Sequence, residues 1–130
     1  MSVAPNEILD FAKKCIQNAD ETSYRSAISR AYYSTYHQVK SSLDNPPGSG
    51  GSVHSELINY LSTEAYKREK GLSKKSSIAL SYILQTLKTR RARCDYTLSD
   101  TVSKSEAITA IRDAERVFET CTEVEQLKAS

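Results

Sequence analysis

At 130 residues, with 38% hydrophobic and 26% charged side chains, the chain has the size of one globular domain and is too apolar for a disordered one. Lys and Arg number 18 against 16 Asp and Glu, a net charge of +2, which excludes a histone-like polycation and leaves room only for a local basic patch. No apolar run approaches the ~18 residues of a membrane span, and Met1–Asn6 lacks the charged start and apolar stretch of a signal peptide, so a cytoplasmic, non-membrane protein is expected.

Five helical segments follow in chain order, all with apolar residues at three- and four-residue steps. The first spans about Asn6 to Asn18, on Ile8, Leu9, Ala12, Cys15 and Ile16. The second spans about Thr22 to Leu43, with Tyr24, Ala27, Ile28, Ala31, Thr35 and Val39 on one face, Tyr32 and Tyr36 widening it, and Thr22 or Ser23 as its cap. Residues 44–52 then hold two of the three prolines and three of the four glycines, which reads as a flexible loop. The third segment starts near Ser52, carries Val53, Leu57, Ile58 and Leu61, and fades toward Gly71. A fourth starts near Ser73 with Ile78, Leu80, Ile83, Leu84 and Leu87, and ends in the basic run Lys88, Arg90, Arg91 and Arg93. Ser103-Lys104-Ser105-Glu106 opens the fifth as a capping box. With no sustained alternation and short links, the chain is expected to form one all-α domain over residues 1–130, an antiparallel up-and-down bundle of four to five helices.

With the apolar stripe of the second helix buried, Ser26, Arg30, Ser34, His37 and Ser41 are expected along one outward flank. Arg30 and His37 lie two turns apart, roughly 10 Å at ~1.5 Å per residue. A guanidinium binds phosphate bidentately and offsets charge developing in a transition state. An imidazole moves protons near neutral pH. RNA brings its own nucleophile in the 2′-OH, so such a pair suffices in principle for cleavage without metal or cofactor. The plainer alternative is an arginine in a surface ion pair and a histidine at a bundle edge.

Other residues carry two readings as well. Tyr32, Tyr33 and Tyr36 form either core and partner surface or a stacking platform, with Tyr33 pointing farthest from the stripe. The cations from Lys88 to Arg93 complement a helix C-terminus or form a rim that tracks phosphate. Cys15, Cys94 and Cys121 are odd in number and widely spaced, with no zinc knuckle, and read as free buried thiols; no metal site is expected.

Four stretches in order resemble the small prokaryotic HEPN-domain family. Ser29-Arg30-Ala31-Tyr32-Tyr33-Ser34-Thr35-Tyr36-His37 is similar to its S-R-A-Y-Y-x-x-[FY]-H signature, Val53-His54-Ser55 to the histidine that opens its third helix, and Arg91-Ala92-Arg93-Cys94-Asp95-Tyr96 to an R-x-x-A-D-Y pattern, with the capped final helix after them. The resemblance covers about Asn6 to Val124 and implies a helical bundle that commonly dimerises. Many members are metal-independent endoribonucleases with an R-x4-6-H motif, acting in toxin–antitoxin or phage-defence systems, and Arg30–His37 satisfies R-x6-H. In that reading Arg30 holds the scissile phosphate and His37 is general acid or base. Tyr33, Ser34 and His54 support them, a dimer brings two such flanks to one cleft, and RNA is the partner. His54 either lines that cleft or is an ordinary polar group near a helix start. Arg91, Asp95 and Tyr96 either form a basic rim with a stacking tyrosine or a structural ion pair with a tucked ring. Catalytic members usually carry the motif at the start of the last core helix, whereas here it lies on the second. The other function implied is a non-catalytic binding subunit of a minimal nucleotidyltransferase.

Overall fold

The structure, a computed structural model, describes residues 3–47 and 53–130. Among the described residues it is all-helical: α1 Pro5–Ile16, α2 Glu21–Ser42, α3 Val53–Thr63, the single turn α4 Ala65–Arg68, α5 Lys74–Tyr96 and α6 Lys104–Ala129. The five expected helices are present and α4 is added where the third pattern fades. The part of the expected flexible loop at residues 48–52 lies outside the described residues. No helix among the described residues is long and apolar enough to cross a membrane.

The local chemistry explains the boundaries. Pro5 occupies the first turn of α1, where its missing N–H costs nothing. Asp20, not Thr22 or Ser23, caps α2 by accepting from Ser23 N at 2.8 Å; it is the residue with extended backbone just before the first turn. Ser73 caps α5, and Ser103 with Glu106 closes the capping box of α6. Gly71 turns the chain between α4 and α5 at φ +79°, and a Cβ there would stand 2.9 Å from the Val124 carbonyl oxygen. Both facts require glycine.

Helix α2 lies against α1, α5 and α6. Its buried Ala27, Ala31, Ser34 and Thr35 are small, which lets these neighbours approach. This is why Ser34 departs from the expected outward flank: it is fully buried, and its hydroxyl is satisfied locally by donating to the Ala31 carbonyl at 2.8 Å. Ile28, Leu57, Leu61, Leu84 and Leu87 fill the centre; each such side chain contributes about 2 kcal/mol by leaving water. Ile78, expected on the α5 stripe, is instead 43% exposed. The three cysteines are free and buried.

The direction of each helix can be followed through polar contacts. Arg93 meets Glu106 and Arg90 meets Asp113, so α5 and α6 are antiparallel. Arg25 near the start of α2 donates to the Cys94 carbonyl near the end of α5, so that pair is antiparallel too. After α2 the chain doubles back. His54 at the start of α3 meets Tyr32 midway along α2, and Tyr60 farther along α3 reaches Glu69, which also binds Asp44 and Asn45 just past the end of α2, so α3 runs in the same direction as α2 while packing on α5. Three side chains of α5 set its height: Ser77 donates to the Leu61 carbonyl, Ser81 to the Ile58 carbonyl and Lys88 to Ser55 Oγ.

Candidate functional site

The doubling back of α3 places His54 in a nest of aromatic rings. Its imidazole lies 4.1 Å from the Tyr36 ring and 5.4 Å from the Tyr32 ring at shallow angles, with Tyr33 edge-on at 6.1 Å. Tyr32 Oη and His54 Nδ1 share a hydrogen across 2.5 Å. Tyr32 is completely buried, and burial holds its phenol well above the usual tyrosine range despite the opposing Arg91 charge. The hydroxyl therefore stays protonated and neutral, and it fixes the ring while leaving Nε2 without a hydrogen-bond partner among the described residues.

Cations surround this ring. Burial lowers the His54 pKa below the usual histidine value, and the charges of Arg91, Lys88, His37 and Lys40 lower it further. Lys88 reaches Ser55 Oγ at 2.6 Å, and Lys40 lies over the Tyr36 ring at 5.9 Å. The Arg91 guanidinium covers the rings of Tyr32 and Tyr33, with its central carbon 5.4 and 5.5 Å from their centroids. It has one ion-pair partner, Asp95 at 3.4 Å, and its buried Nε has no hydrogen-bond partner among the described residues. Most of the five-donor fork is thus unused.

Arg93, two residues on, is engaged by more acids, although its buried Nε likewise lacks a hydrogen-bond partner among the described residues. Both Glu106 oxygens accept from its Nη2 at 2.9 Å, and Asp100 lies 3.6 Å from its Nε. Arg25 is equally engaged, donating to Glu21 and to the carbonyls of Cys94, Thr97, Leu98 and Asp100. These bonds satisfy the carbonyls at the end of α5 and pin that end to α2.

The expected residues therefore divide. Tyr33, His54, Arg91 and Asp95 come together, and His37 approaches from the side, its ring 5.1 Å from Tyr36. Arg30 is exposed, as is His37. Arg30 stands where its charge acts on Cys15 of α1, whereas His37 lines a cleft with Val3, Pro5, Ile8, Lys40 and Ser41 to which Arg30 does not contribute. Ser34 is buried away from both. Tyr96 is not tucked into the bundle: it is 76% exposed just past the Arg91–Asp95 pair. Lys40 is the member that the sequence reading does not single out; Tyr32 and Tyr36 stand there as core or stacking platform and Lys88 as helix-end charge or phosphate rim, none of them as a neighbour of His54. The task of the Tyr32 hydroxyl is hidden because a core position gives no sign of it.

The cluster can hold an anion and move a proton. It offers unspent guanidinium and ammonium donors beside an oriented imidazole of lowered basicity, and such perturbed groups concentrate at functional sites. The buried thiols offer no rival chemistry, since burial raises all three above the usual cysteine value, Cys121 to about 11. Among the described residues no three His, Cys, Asp or Glu side chains converge as metal ligands would.

Comparison with known proteins gives one match. The model of the HEPN domain fits residues 7–124. No curated protein and no solved structure matches the chain.

Proposed function

Because the chain belongs to the HEPN family, we propose that it is an RNA-directed protein whose phosphate centre is His54 with Arg91 and Lys88, and that it cleaves RNA without a metal. The observation that carries this reading is the neutral, Tyr32-anchored imidazole ringed by Arg91, Lys88, Lys40 and His37 with Asp95 as the one acid paired to that ring of charges. A polyanion supplies what such a site lacks.

In the tautomer that carries its hydrogen on Nδ1, His54 donates to Tyr32 Oη, and Nε2 is then free to take the proton of a ribose 2′-OH. The freed oxygen attacks the adjacent phosphorus, and Arg91 and Lys88 offset the charge that grows on the phosphoryl oxygens. The bond to the 5′ oxygen breaks, His37 returns a proton to that oxygen, and a 2′,3′-cyclic phosphate is left. Arg30 lies farther down the same flank and extends the track for the RNA backbone. A cytoplasmic site of action, a homodimer, and a place in a toxin–antitoxin or phage-defence system fit the same reading.

The test is cleavage of RNA by pure protein in excess EDTA. His54→Ala and Arg91→Ala are expected to lose at least about a hundredfold in rate, with helix content retained, and Arg30→Ala to lose much less. The opposite pattern, loss in Arg30→Ala and His37→Ala alone, moves the centre to the second-helix pair. The second reading, a binding subunit for a nucleotidyltransferase-like partner, draws on Tyr96 and Leu98, each 76% exposed beside the Arg91–Asp95 pair. It prevails if pure protein never cuts RNA and copurifies with a transferase.

A further inference from the structure

We propose that the cleft between the start of α1 and the end of α2 is a nucleobase subsite, so that the substrate is single-stranded RNA with an unstacked base next to the phosphate held at His54. This rests on the RNA-directed reading above and adds a place, an occupant and a strand requirement to it.

The cleft has a volume of about 450 Å³, within the range of sites that hold small organic ligands. Its two walls differ. Val3 just before α1, with Pro5 and Ile8 on it, makes an apolar wall, and His37, Lys40 and Ser41 make a polar wall on α2. A nucleobase has that same division, a flat face that gains by leaving water and an edge of donors and acceptors. A second phosphate fits less well. The α1 wall carries no cation, and Glu7 adds negative charge in the same turn.

Continuity with the phosphate centre gives the occupant its identity. His37 lies against one part of the Tyr36 ring at 5.1 Å, and His54 stacks on it at 4.1 Å. Lys40 lines the cleft and also covers that ring. One buried tyrosine thus separates the two places, and a chain with its phosphate at His54 carries its neighbouring base into reach of the cleft. A base within a duplex presents only its edge, because its faces are covered by stacking. Entry here therefore requires an unpaired base.

The test uses short labelled RNAs carrying one 2′-deoxy sugar to block cleavage and one abasic position moved along the chain, read by fluorescence anisotropy. One abasic position is expected to weaken binding roughly tenfold, the scale of losing one bound base, and a fully paired RNA to bind no better than that abasic strand. Ile8→Glu, which puts a carboxylate on the half-buried wall, is expected to bind every strand at the abasic level, and Val3→Glu, at an exposed position, serves as the second variant. Equal affinity for every abasic strand, or an unaltered preference in both variants, overturns the subsite. Arg91→Ala separates this from the phosphate centre: it weakens all strands alike if that centre is correct. No effect of Arg91→Ala, or no RNA binding at all, removes the centre and the subsite with it.

Discussion

Two polar clusters sit at helix junctions of this bundle, and they are built in opposite ways. Around Glu69 everything is matched. Its side chain is fully covered, and it accepts from Asp44 N at 2.6 Å, Asn45 N at 3.0 Å and Tyr60 Oη at 2.7 Å. Lys128 stands 3.8 Å away, pairs with Asp44 at 3.3 Å and donates to the Ser42 carbonyl at 2.6 Å. The ends of α2, α3 and α6 are clasped by one carboxylate. Around His54 the charges are unmatched: Arg91, Lys88 and Lys40 crowd the ring, and Asp95 is the acid paired with them among the described residues. A buried polar network that serves the fold tends to be closed, whereas one that serves a ligand leaves groups for the ligand to complete.

The sharpest way to break this contrast is Glu69→Ala. It strands several buried donors and leaves Lys128 short of a partner, so a stability loss of about 3 kcal/mol is expected in urea unfolding, with RNA affinity per folded molecule unchanged. A loss below about 1 kcal/mol would mean that the clasp is not closed. Arg91→Ala is the mirror case. Its ion pair to Asp95 is weak at 3.4 Å but its side chain packs on two rings, so a stability loss of about 1 kcal/mol is expected, well short of that in Glu69→Ala, while RNA affinity falls about tenfold. Asp95→Asn removes the acid that competes with phosphate for Arg91 and is expected to raise RNA affinity about threefold. A fall in affinity would instead make Asp95 an orienting partner of that arginine.

Acid titration gives the smallest and most selective signal. Burial alone would raise the Glu69 pKa, but the bonds from Tyr60, Asp44 and Asn45 outweigh it and hold the carboxyl below its ordinary value. Its contribution to stability is therefore complete above the unfolded value of ~4.3 and is lost as pH falls through the lowered native value. His54 also titrates below its unfolded value of ~6.5, chiefly through burial. Between that value and the lower native one the unfolded chain binds the extra proton, so stability rises with pH across this interval. Thermal unfolding from pH 3 to 8 is expected to show a shallower lower slope in Glu69→Gln, since Glu106 is held below its ordinary value as well, and to lose the upper slope in His54→Gln. A slope left wholly unchanged by its own substitution assigns it to another group.

Much of the bundle was legible before folding. The helical spacing of Leu80, Leu84 and Leu87, the box Ser103–Glu106 and the Pro- and Gly-rich break after α2 each report a local preference of the backbone, and local preferences act over a few residues. The same rule explains where the reading of α2 went astray. A helical wheel places Ser34 by angle alone, and only the approach of neighbouring helices shows that small residues are needed there. Ile78 failed for the converse reason: it is apolar, but α5 turns that edge to solvent.

The candidate site was half legible. Tyr33, His54, Arg91 and Asp95 stood out as chemical types and by their family pattern, yet nothing in their spacing joined them, because they come from three helices. Arg30 and His37 were joined by spacing, and the fold gives them different neighbours, Cys15 on one side and the α1 cleft on the other.

By itself the sequence determined the five long helices, the capping box of α6, the stock of cations and tyrosines, and membership of the HEPN family. The tertiary structure alone decided which imidazole is surrounded by charge. That outcome depends on the height at which Ser77, Ser81 and Lys88 hold α3 against α5, a relation between residues up to 33 positions apart. Electrostatic influence runs through space, so a residue's chemistry follows from the neighbours that packing brings to it and not from those beside it in the chain.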